Sequence, residues 1–120
     1  MKPSIDATSF GSITVSGEQY EKDIMIHLNG EVTKRKKKLS KATYGTSHIV
    51  SLDEAEYIYE KGAELLIIGS GQYGALKLSN EASEFFRQKG FTVKLLPTPQ
   101  AMAAWNSAKG SVIAMFHITC

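Results

Sequence analysis

Cysteine is nearly absent from this chain, and its single residue, Cys120, has no partner for an internal disulfide. An oxidising compartment therefore gains no support, and a reducing cytoplasm fits best. Long apolar runs are missing too, since the longest aliphatic run, Leu65 to Ile68, is far shorter than the roughly 20 residues of a membrane helix. The first residues lack the apolar stretch of a secretory signal. We expect a soluble, cytoplasmic protein.

Net charge is also small, at a formal +2 from 14 basic and 12 acidic residues. No overall field is strong enough to require nucleic acid or an anionic membrane as a partner. Apolar residues, in contrast, are plentiful: they make up 42% of the 120 residues, which is ample for one core with secondary structure on both sides. This length predicts a single domain over residues 1–120.

Alternating apolar residues predict strands in the first third of the chain. Ile13 and Val15 alternate with polar neighbours, and a second alternating series covers 24–28. Asn29-Gly30 then predicts a tight two-residue hairpin connection, because both residues tolerate positive φ, and Val32 begins the returning strand. This region is predicted to be antiparallel.

From Ser51 onward the pattern changes to helix, glycine and strand, repeated three times. Three stripes of apolar residues at helical spacing predict three helices. Each helix is predicted to end at a lysine followed by a glycine, because lysine suits the negative end of the helix dipole and glycine adopts the left-handed closing conformation. These pairs are Lys61-Gly62, Lys89-Gly90 and Lys109-Gly110.

Polar caps precede the same three helices. Ser51 with Glu54 fits a capping box, and the positive end of that helix accounts for the nearby carboxylates of Asp53, Glu54 and Glu56. The other predicted starts are Ser79 or Asn80 for the second helix and Thr98-Pro99 for the third.

The strands after the glycines differ in their apolar pattern. Leu65 to Ile68 and Val112 to Phe116 are continuously apolar, as strands covered on both faces are, whereas Phe91 to Leu95 alternates. We therefore place the first two centrally and the third nearer an edge. Helical crossovers favour parallel neighbours for at least two of these strands. Together with the antiparallel amino-terminal hairpin, this predicts an α/β fold with a mixed central sheet and three helices.

The loop Gly69-Ser70-Gly71-Gln72-Tyr73-Gly74 matches the dinucleotide-binding fingerprint letter for letter. A dinucleotide site is nevertheless not expected, because the next helix starts near Ser79 rather than on the glycines and no acidic residue follows the strand ending at Leu96. A tight turn at a strand end explains the glycines most simply. The loop and Thr98 should also share the carboxyl edge of the sheet, where exposed amides would hold a small anion.

Two histidines are candidates for acid or base chemistry at that edge. His48 ends the turn Tyr44-Gly45-Thr46-Ser47-His48, and His117 opens the segment His117-Ile118-Thr119-Cys120. A metal site is not expected, because His117 and Cys120 point to opposite faces of a strand and no second ligand pair has metal-site spacing. A Cys120 thiolate served by either histidine is an alternative, and histidines satisfied by hydrogen bonds in the core are the simpler interpretation.

The run Lys34-Arg35-Lys36-Lys37-Lys38, with Lys41 nearby, is the one strong local charge feature. It is predicted to lie in a loop or edge strand after the hairpin. A solvated, charged edge that discourages strand-to-strand aggregation is the simplest interpretation. Nucleic-acid binding requires aromatic residues among the cations to stack bases, and only Tyr44 is close.

Four segments together resemble the adipogenesis-associated Mth-type domain family: the turn ending at His48, Ile67-Ile68-Gly69-Ser70-Gly71, Leu96-Pro97-Thr98, and Phe116-His117-Ile118-Thr119-Cys120. That family is largely of unknown function and includes a mitochondrial assembly factor for respiratory complex I. The resemblance covers nearly the whole chain and implies a three-layer fold with a mixed central sheet that contains the last strand. It implies matching positions, without an assigned role, for Gly69, Gly71, His48, His117, Thr119 and Cys120.

These observations predict a non-enzymatic domain that binds another protein, as an assembly factor does, with no cofactor and no metal. One alternative is a small-anion or small-ligand binding protein, or an enzyme, that uses the loop from Gly69 to Gly74. Another is nucleic-acid association through the basic run from Lys34 to Lys41. The candidate ligand-binding residues are Gly69, Ser70, Gly71, Gln72, Tyr73, Thr98, His48 and His117.

Overall fold

A computed structural model describes residues 2–120 of the chain. Its elements follow in the order β1 (Ile5–Ser9), β2 (Ser12–Val15), β3 (Glu18–Tyr20), β4 (Ile24–Ile26), β5 (Val32–Lys34), α1 (Lys38–Tyr44), β6 (Ile49–Val50), α2 (Leu52–Ile58), β7 (Leu65–Ser70), β8 (Lys77–Leu78), α3 (Asn80–Gln88), β9 (Thr92–Leu96), α4 (Thr98–Ser107) and β10 (Val112–His117).

A mixed five-stranded sheet in the order β5-β4-β10-β7-β9 forms the centre of the fold. Strand β10 runs antiparallel to β4 and parallel to β7, and β7 is also parallel to β9. The two continuously apolar strands are therefore central and the alternating one is at an edge, as the sequence predicts. The mixed sheet is confirmed.

Successive residues of the central strands face two different cores. In β10, Ala114 and Phe116 pack with Trp105 of α4 and with β1 and β2, while Ile113 and Met115 pack with α2 and α3. Each face is covered because the side chains of a strand alternate in direction. The sheet thus lies between two covering layers, which confirms the three-layer fold.

The amino-terminal region is antiparallel, as predicted, and contains a three-stranded sheet of β1, β2 and β3. Strands β4 and β5 form the expected hairpin, but its predicted two-residue connection is wrong. The His27 amide donates a hydrogen bond to the Glu31 carbonyl at 2.9 Å, and the Gly30 amide donates one to the His27 carbonyl. Three residues therefore form the loop, and Gly30 is the one with positive φ, at 87°.

There are four helices in residues 2–120, rather than the three predicted, because Lys38–Tyr44 forms α1 where a loop or edge strand was expected. The sequence shows no apolar stripe here, since the buried residue of this helix is the polar Ser40. Gly45 closes the helix in the left-handed conformation, with its amide donating to the Lys41 carbonyl. Across residues 2–120, no helix has both the length and the apolar character needed to cross a bilayer.

The predicted helix ends are correct in only one case. Lys89-Gly90 closes α3, with Gly90 at a φ of 75°. The other two helices stop earlier, because Tyr59 after α2 and Ala108 after α4 leave the helical conformation. Gly62 and Gly110 have positive φ but lie in the turns that lead to the next strands.

The predicted starts are better. The Ser51 hydroxyl accepts the Glu54 amide at 3.1 Å, and the Ser79 hydroxyl accepts the Ala82 amide at 3.1 Å. Thr98 is not a cap, because its side chain bonds elsewhere and α4 has no side-chain cap. Its hydroxyl instead bonds to Gly71 and His117 at the edge of the sheet.

Candidate functional site

The candidate residues of the loop and the two histidines meet at the carboxyl edge of the central sheet. Ser70, at the end of β7, lies opposite His117, at the end of β10. The rings of His48 and His117 meet edge to face, with centroids 5.2 Å apart. The Thr98 hydroxyl accepts the Gly71 amide at 3.0 Å and donates to the His117 carbonyl at 2.5 Å. Their role in binding a ligand stays a prediction.

The loop amides were expected to hold an anion, but they form hydrogen bonds within the protein instead. Gln72 donates to the Thr119 carbonyl at 2.7 Å, and Tyr73 and Ala75 both donate to the main-chain oxygen of Cys120 at 3.1 Å. The Gly71 amide is taken by Thr98, as described above. The reason for expecting a small anion at these amides therefore does not hold.

Close backbone approach explains the two central glycines of the loop. A Cβ atom on Gly71 would lie 2.2 Å from the carbonyl carbon of Cys120 and 2.9 Å from Cδ2 of His117, at a φ of 104°. A Cβ atom on Gly69 would lie 2.7 Å from Cδ1 of Phe116. No other residue type fits at Gly71 without moving the segment 117–120. The resemblance to the dinucleotide fingerprint arises from packing, and α3 begins only at Asn80.

Beneath this edge lies a buried network of charges centred on Arg35, a residue that was expected to be solvated. The residue is 1% exposed. Its Nε donates to Glu54 at 2.6 Å, one Nη donates to Asp23 at 2.9 Å, and the other donates to the Ser47 carbonyl at 2.7 Å. Ser40 also donates a hydrogen bond to Glu54. The solvated interpretation is wrong for Arg35.

Glu54 and Asp23 were not identified as a pair from the sequence. The buried carboxylate of Glu54 accepts hydrogen bonds from Arg35 and Ser40, so these groups are its main partners rather than the positive helix end. Asp23 directly precedes β4 and has no motif around it. The one available signal was an arginine alone among lysines, since a guanidinium can satisfy two buried carboxylates at once and an ammonium group cannot match that geometry.

The network favours the charged forms of Asp23 and Arg35. Burial alone would raise the pKa of Asp23, but the hydrogen bond and charge of His117, the Ile118 amide and Arg35 together hold that pKa below its ordinary value. Burial alone would lower the pKa of Arg35, and the hydrogen bonds and charges of Glu54 and Asp23 raise it.

This shift predicts a pH dependence of stability. The folded-state pKa of Asp23 is below its unfolded value of about 3.9, so its contribution is fully present above pH ~4 and is lost as the pH falls through the folded-state pKa. The free energy of unfolding should therefore be higher for the wild type than for Asp23→Asn at pH 7, and this difference should shrink in acid. Urea titrations from pH 7 to pH 3 measure it. A difference that is constant with pH would contradict this assignment.

His117 joins the network to the candidate edge. Its Nδ1 lies 2.8 Å from Oδ2 of Asp23, and its Nε2 lies 3.3 Å from the Thr119 hydroxyl. A carboxylate, an imidazole and a hydroxyl in series form the relay of many hydrolases. Here, however, Asp23 Oδ2 also accepts a hydrogen bond from Arg35, and His117 is 3% exposed, so the imidazole is fixed inside a buried network. The geometry favours a histidine satisfied by core hydrogen bonds.

No three His, Cys, Asp or Glu residues within residues 2–120 converge as ligands for a metal ion. Cys120 is exposed. Its thiol is in none of the hydrogen bonds or ion pairs formed by His48 and His117. The two rings contact each other, and the His117 ring also contacts Asp23 and Thr119.

Two exposed aromatic side chains stand beside the edge, and we name them the aromatic tip. Phe10 is 58% exposed and Tyr73 is 80% exposed, and their ring centroids lie 6.1 Å apart. Phe10 and Gly11 form the two-residue turn between β1 and β2. Tyr73 was a candidate residue, whereas Phe10 was missed because a lone aromatic residue in a turn has no periodic signal.

Three segments of the chain hold the aromatic tip in place. The Gly11 amide donates to the Ile118 carbonyl at 2.8 Å. The Gln72 side chain donates to the Thr8 hydroxyl at 3.0 Å and to the Ser9 carbonyl at 3.2 Å. The segment 117–120 thus binds both the Phe10 turn and the Tyr73 loop.

Solved structures of similar chains share this fold. A conserved hypothetical protein from Pyrococcus horikoshii is 30% identical over 100% of both chains, with a TM-score of 0.91. A protein named MT938 is 38% identical over 99% of this chain and 100% of its own, with a TM-score of 0.82. A protein from Bordetella parapertussis, 18% identical over 96% of this chain and 94% of its own, shares the fold with a TM-score of 0.72.

Residues 5–117 match the family described as protein of unknown function DUF498/DUF598. This match covers nearly all of the chain and agrees with the Pyrococcus similarity, which extends over both chains in full. It confirms the resemblance to a domain family of largely unknown function. The chain therefore belongs to the DUF498/DUF598 family.

Proposed function

We propose that this domain is a non-enzymatic protein-binding module that contacts its partner through the aromatic tip of Phe10 and Tyr73. The observation that carries the proposal is the exposure of these two touching rings, 58% and 80%, on a rigid part of the fold. Single exposed apolar residues are common on protein surfaces, but a pair of aromatic rings in contact makes a continuous patch.

The chemistry of the tip suits protein recognition. Binding-energy hot spots are enriched in tyrosine and other large side chains that a partner can desolvate fully. Phe10 supplies apolar area, and Tyr73 supplies apolar area together with a hydroxyl for hydrogen bonding at the rim. A complementary pocket on the partner would bury both rings.

The hydrogen-bonded backbone beneath the aromatic tip favours high affinity for a partner. Backbone bonds from Gly11 to Ile118 and from Tyr73 to Cys120, with the Gln72 side chain bridging the two segments, fix the backbone on which both rings stand. Ordering a loop on binding costs free energy, and a surface that is already ordered avoids that cost. A role in complex assembly is the form of protein binding that the Mth-type resemblance favours.

The main alternative is a ligand site or an enzyme at the loop from Gly69 to Gly74. Opening the amides of Gln72, Tyr73 and the adjoining Ala75 to a ligand would require the release of their three hydrogen bonds to the segment 117–120. The tip needs no such rearrangement, since both rings are exposed as the fold stands. This difference is why protein binding is preferred.

Paired serine substitutions in the tip test the proposal. A photo-crosslinking amino acid placed at Phe10 in the source cells identifies the partner. The double variant Phe10→Ser and Tyr73→Ser is then expected to raise the Kd for the purified partner at least about 100-fold, because hot-spot truncations each cost about 2 kcal/mol or more. Calorimetry or surface plasmon resonance measures the Kd.

The matched control is the double variant Tyr57→Ser and Leu95→Ser, which removes two other exposed apolar side chains, 47% and 39% exposed. It should change the Kd less than about twofold, as near-neutral surface positions do. Equal effects of the two double variants, or a Kd that neither alters, would refute the tip as the binding surface. Unchanged melting temperatures show that all variants fold.

A further inference from the structure

We propose that the cavity beside α1 binds a small polyphosphate, that is, a molecule with two or three linked phosphate groups. This site is separate from the aromatic tip, and the proposal does not depend on the proposed function. The cavity has a volume of about 290 Å³. Its lining residues are Lys34, Arg35, Lys36, Lys37, Lys38 and Lys41.

The five lysines of this cavity carry like charges within eight residues of the chain. Within residues 2–120, none of their five ammonium groups forms an ion pair with a carboxylate. Four of the five side chains are exposed and that of Lys37 is half-buried. The Lys36 ammonium group lies 5.8 Å from the centroid of the Tyr57 ring. Five cationic side chains on one short stretch of chain repel each other, and a multiply charged anion relieves that repulsion while an isolated chloride relieves little of it.

Arg35 anchors the chain segment that lines the cavity. Its amide bonds the Asp23 carbonyl at 3.0 Å, and its buried side chain is held by Glu54 and Asp23. The Lys37 carbonyl accepts the Ser40 and Lys41 amides at the start of α1. The backbone between the lysines is therefore ordered before any ligand arrives, which lowers the cost of binding.

The surroundings favour a compact anion over a nucleic-acid strand. Beyond α1, the Tyr44 hydroxyl donates to Glu81 at 3.4 Å, so a carboxylate lies beside the ring on which a base would have to stack. The adjacent groove contains the carboxylates of Glu56, Glu81 and Glu84. Arg87 pairs with Glu84, but a long polyanion leaving the cavity in this direction would still meet the carboxylates of Glu56 and Glu81, whereas a polyphosphate would stay within the lysines.

Inorganic tripolyphosphate is the probe for this site. We expect it to bind the wild-type protein in about 50 mM salt and to shift the amide NMR signals of residues 34–41. Its binding should weaken steeply as the salt concentration is raised, because exposed charges are screened. The triple variant Lys36→Gln, Lys37→Gln and Lys41→Gln should raise the Kd at least tenfold.

The matched control is the triple variant Lys77→Gln, Lys89→Gln and Lys94→Gln, so that both triple variants lose the same charge. It should raise the Kd less than about threefold, as a diffuse effect of net charge does. Equal weakening by both variants, shifts outside residues 34–41, or no binding would overturn the proposal. Tighter binding of a 12-nucleotide single strand than of tripolyphosphate would overturn it in favour of nucleic acid.

Discussion

Replacing Arg35 by methionine is expected to lower the free energy of unfolding by about 3–5 kcal/mol, the cost typical of breaking a buried ion pair on one side. Methionine fills much of the same volume, so the loss comes from the charges. Glu54 and Asp23 would be left buried without the guanidinium that bonds both, at 2.6 and 2.9 Å. Urea or guanidinium titration at pH 7 measures the change.

The control for this substitution is its exposed neighbour, Lys36→Met, which should change stability by less than about 0.5 kcal/mol. Arg35→Lys should fall between the two, because lysine keeps the charge but cannot bond both carboxylates in the same planar geometry. If Arg35→Met were no more destabilising than Lys36→Met, the buried network would not be what fixes the segment between β5 and α1.

Gly71→Ala is expected to destabilise the protein by about 2–4 kcal/mol, from left-handed backbone strain together with a steric clash. The φ of Gly71 is 104°, and a Cβ atom would lie 2.2 Å from the carbonyl carbon of Cys120 and 2.6 Å from its oxygen. Both contacts are with backbone, so the segment 117–120 must move. Chemical denaturation measures the loss, and amide signals of the segment report the movement.

Gly90→Ala separates strain from clash. Its φ is also positive, at 75°, but a Cβ atom there would have nothing within 4 Å. Gly90→Ala should lower the free energy of unfolding by only about 1–2 kcal/mol, which is the cost of the backbone strain alone. Equal losses in the two variants, with no signal change at Thr119 or Cys120, would mean that the segment does not press on Gly71.

The architecture was predictable because it depends on pattern over whole strands. Continuous apolar runs marked β7 and β10 as central, and alternation marked β9 as an edge strand, since each face of a strand must meet a core or solvent. Helix α1 was missed because its buried residue is Ser40, whose partner Glu54 is 14 positions away. No local periodicity encodes a contact of that kind.

The location of the candidate residues at the sheet edge was predictable, but their hydrogen bonds were not. Parallel strands end at one edge, so the approach of Ser70 to His117 followed from the topology. The closure of the loop amides by Cys120 did not, because a hydrogen bond between residues 73 and 120 leaves no mark in either segment. Arg35 was hidden for a similar reason, since its carboxylate partners are 12 and 19 positions away.

The central claim is that the segment 117–120 locks the loop that presents Tyr73. Amide hydrogen exchange at Gln72, Tyr73 and Ala75, with and without phosphate, tests it most directly. We predict slow exchange at all three amides, a fall in protection in Gly71→Ala, and no effect of phosphate. Exchange at the rate of an unstructured peptide in the wild type, or protection that appears only with phosphate, would contradict the claim.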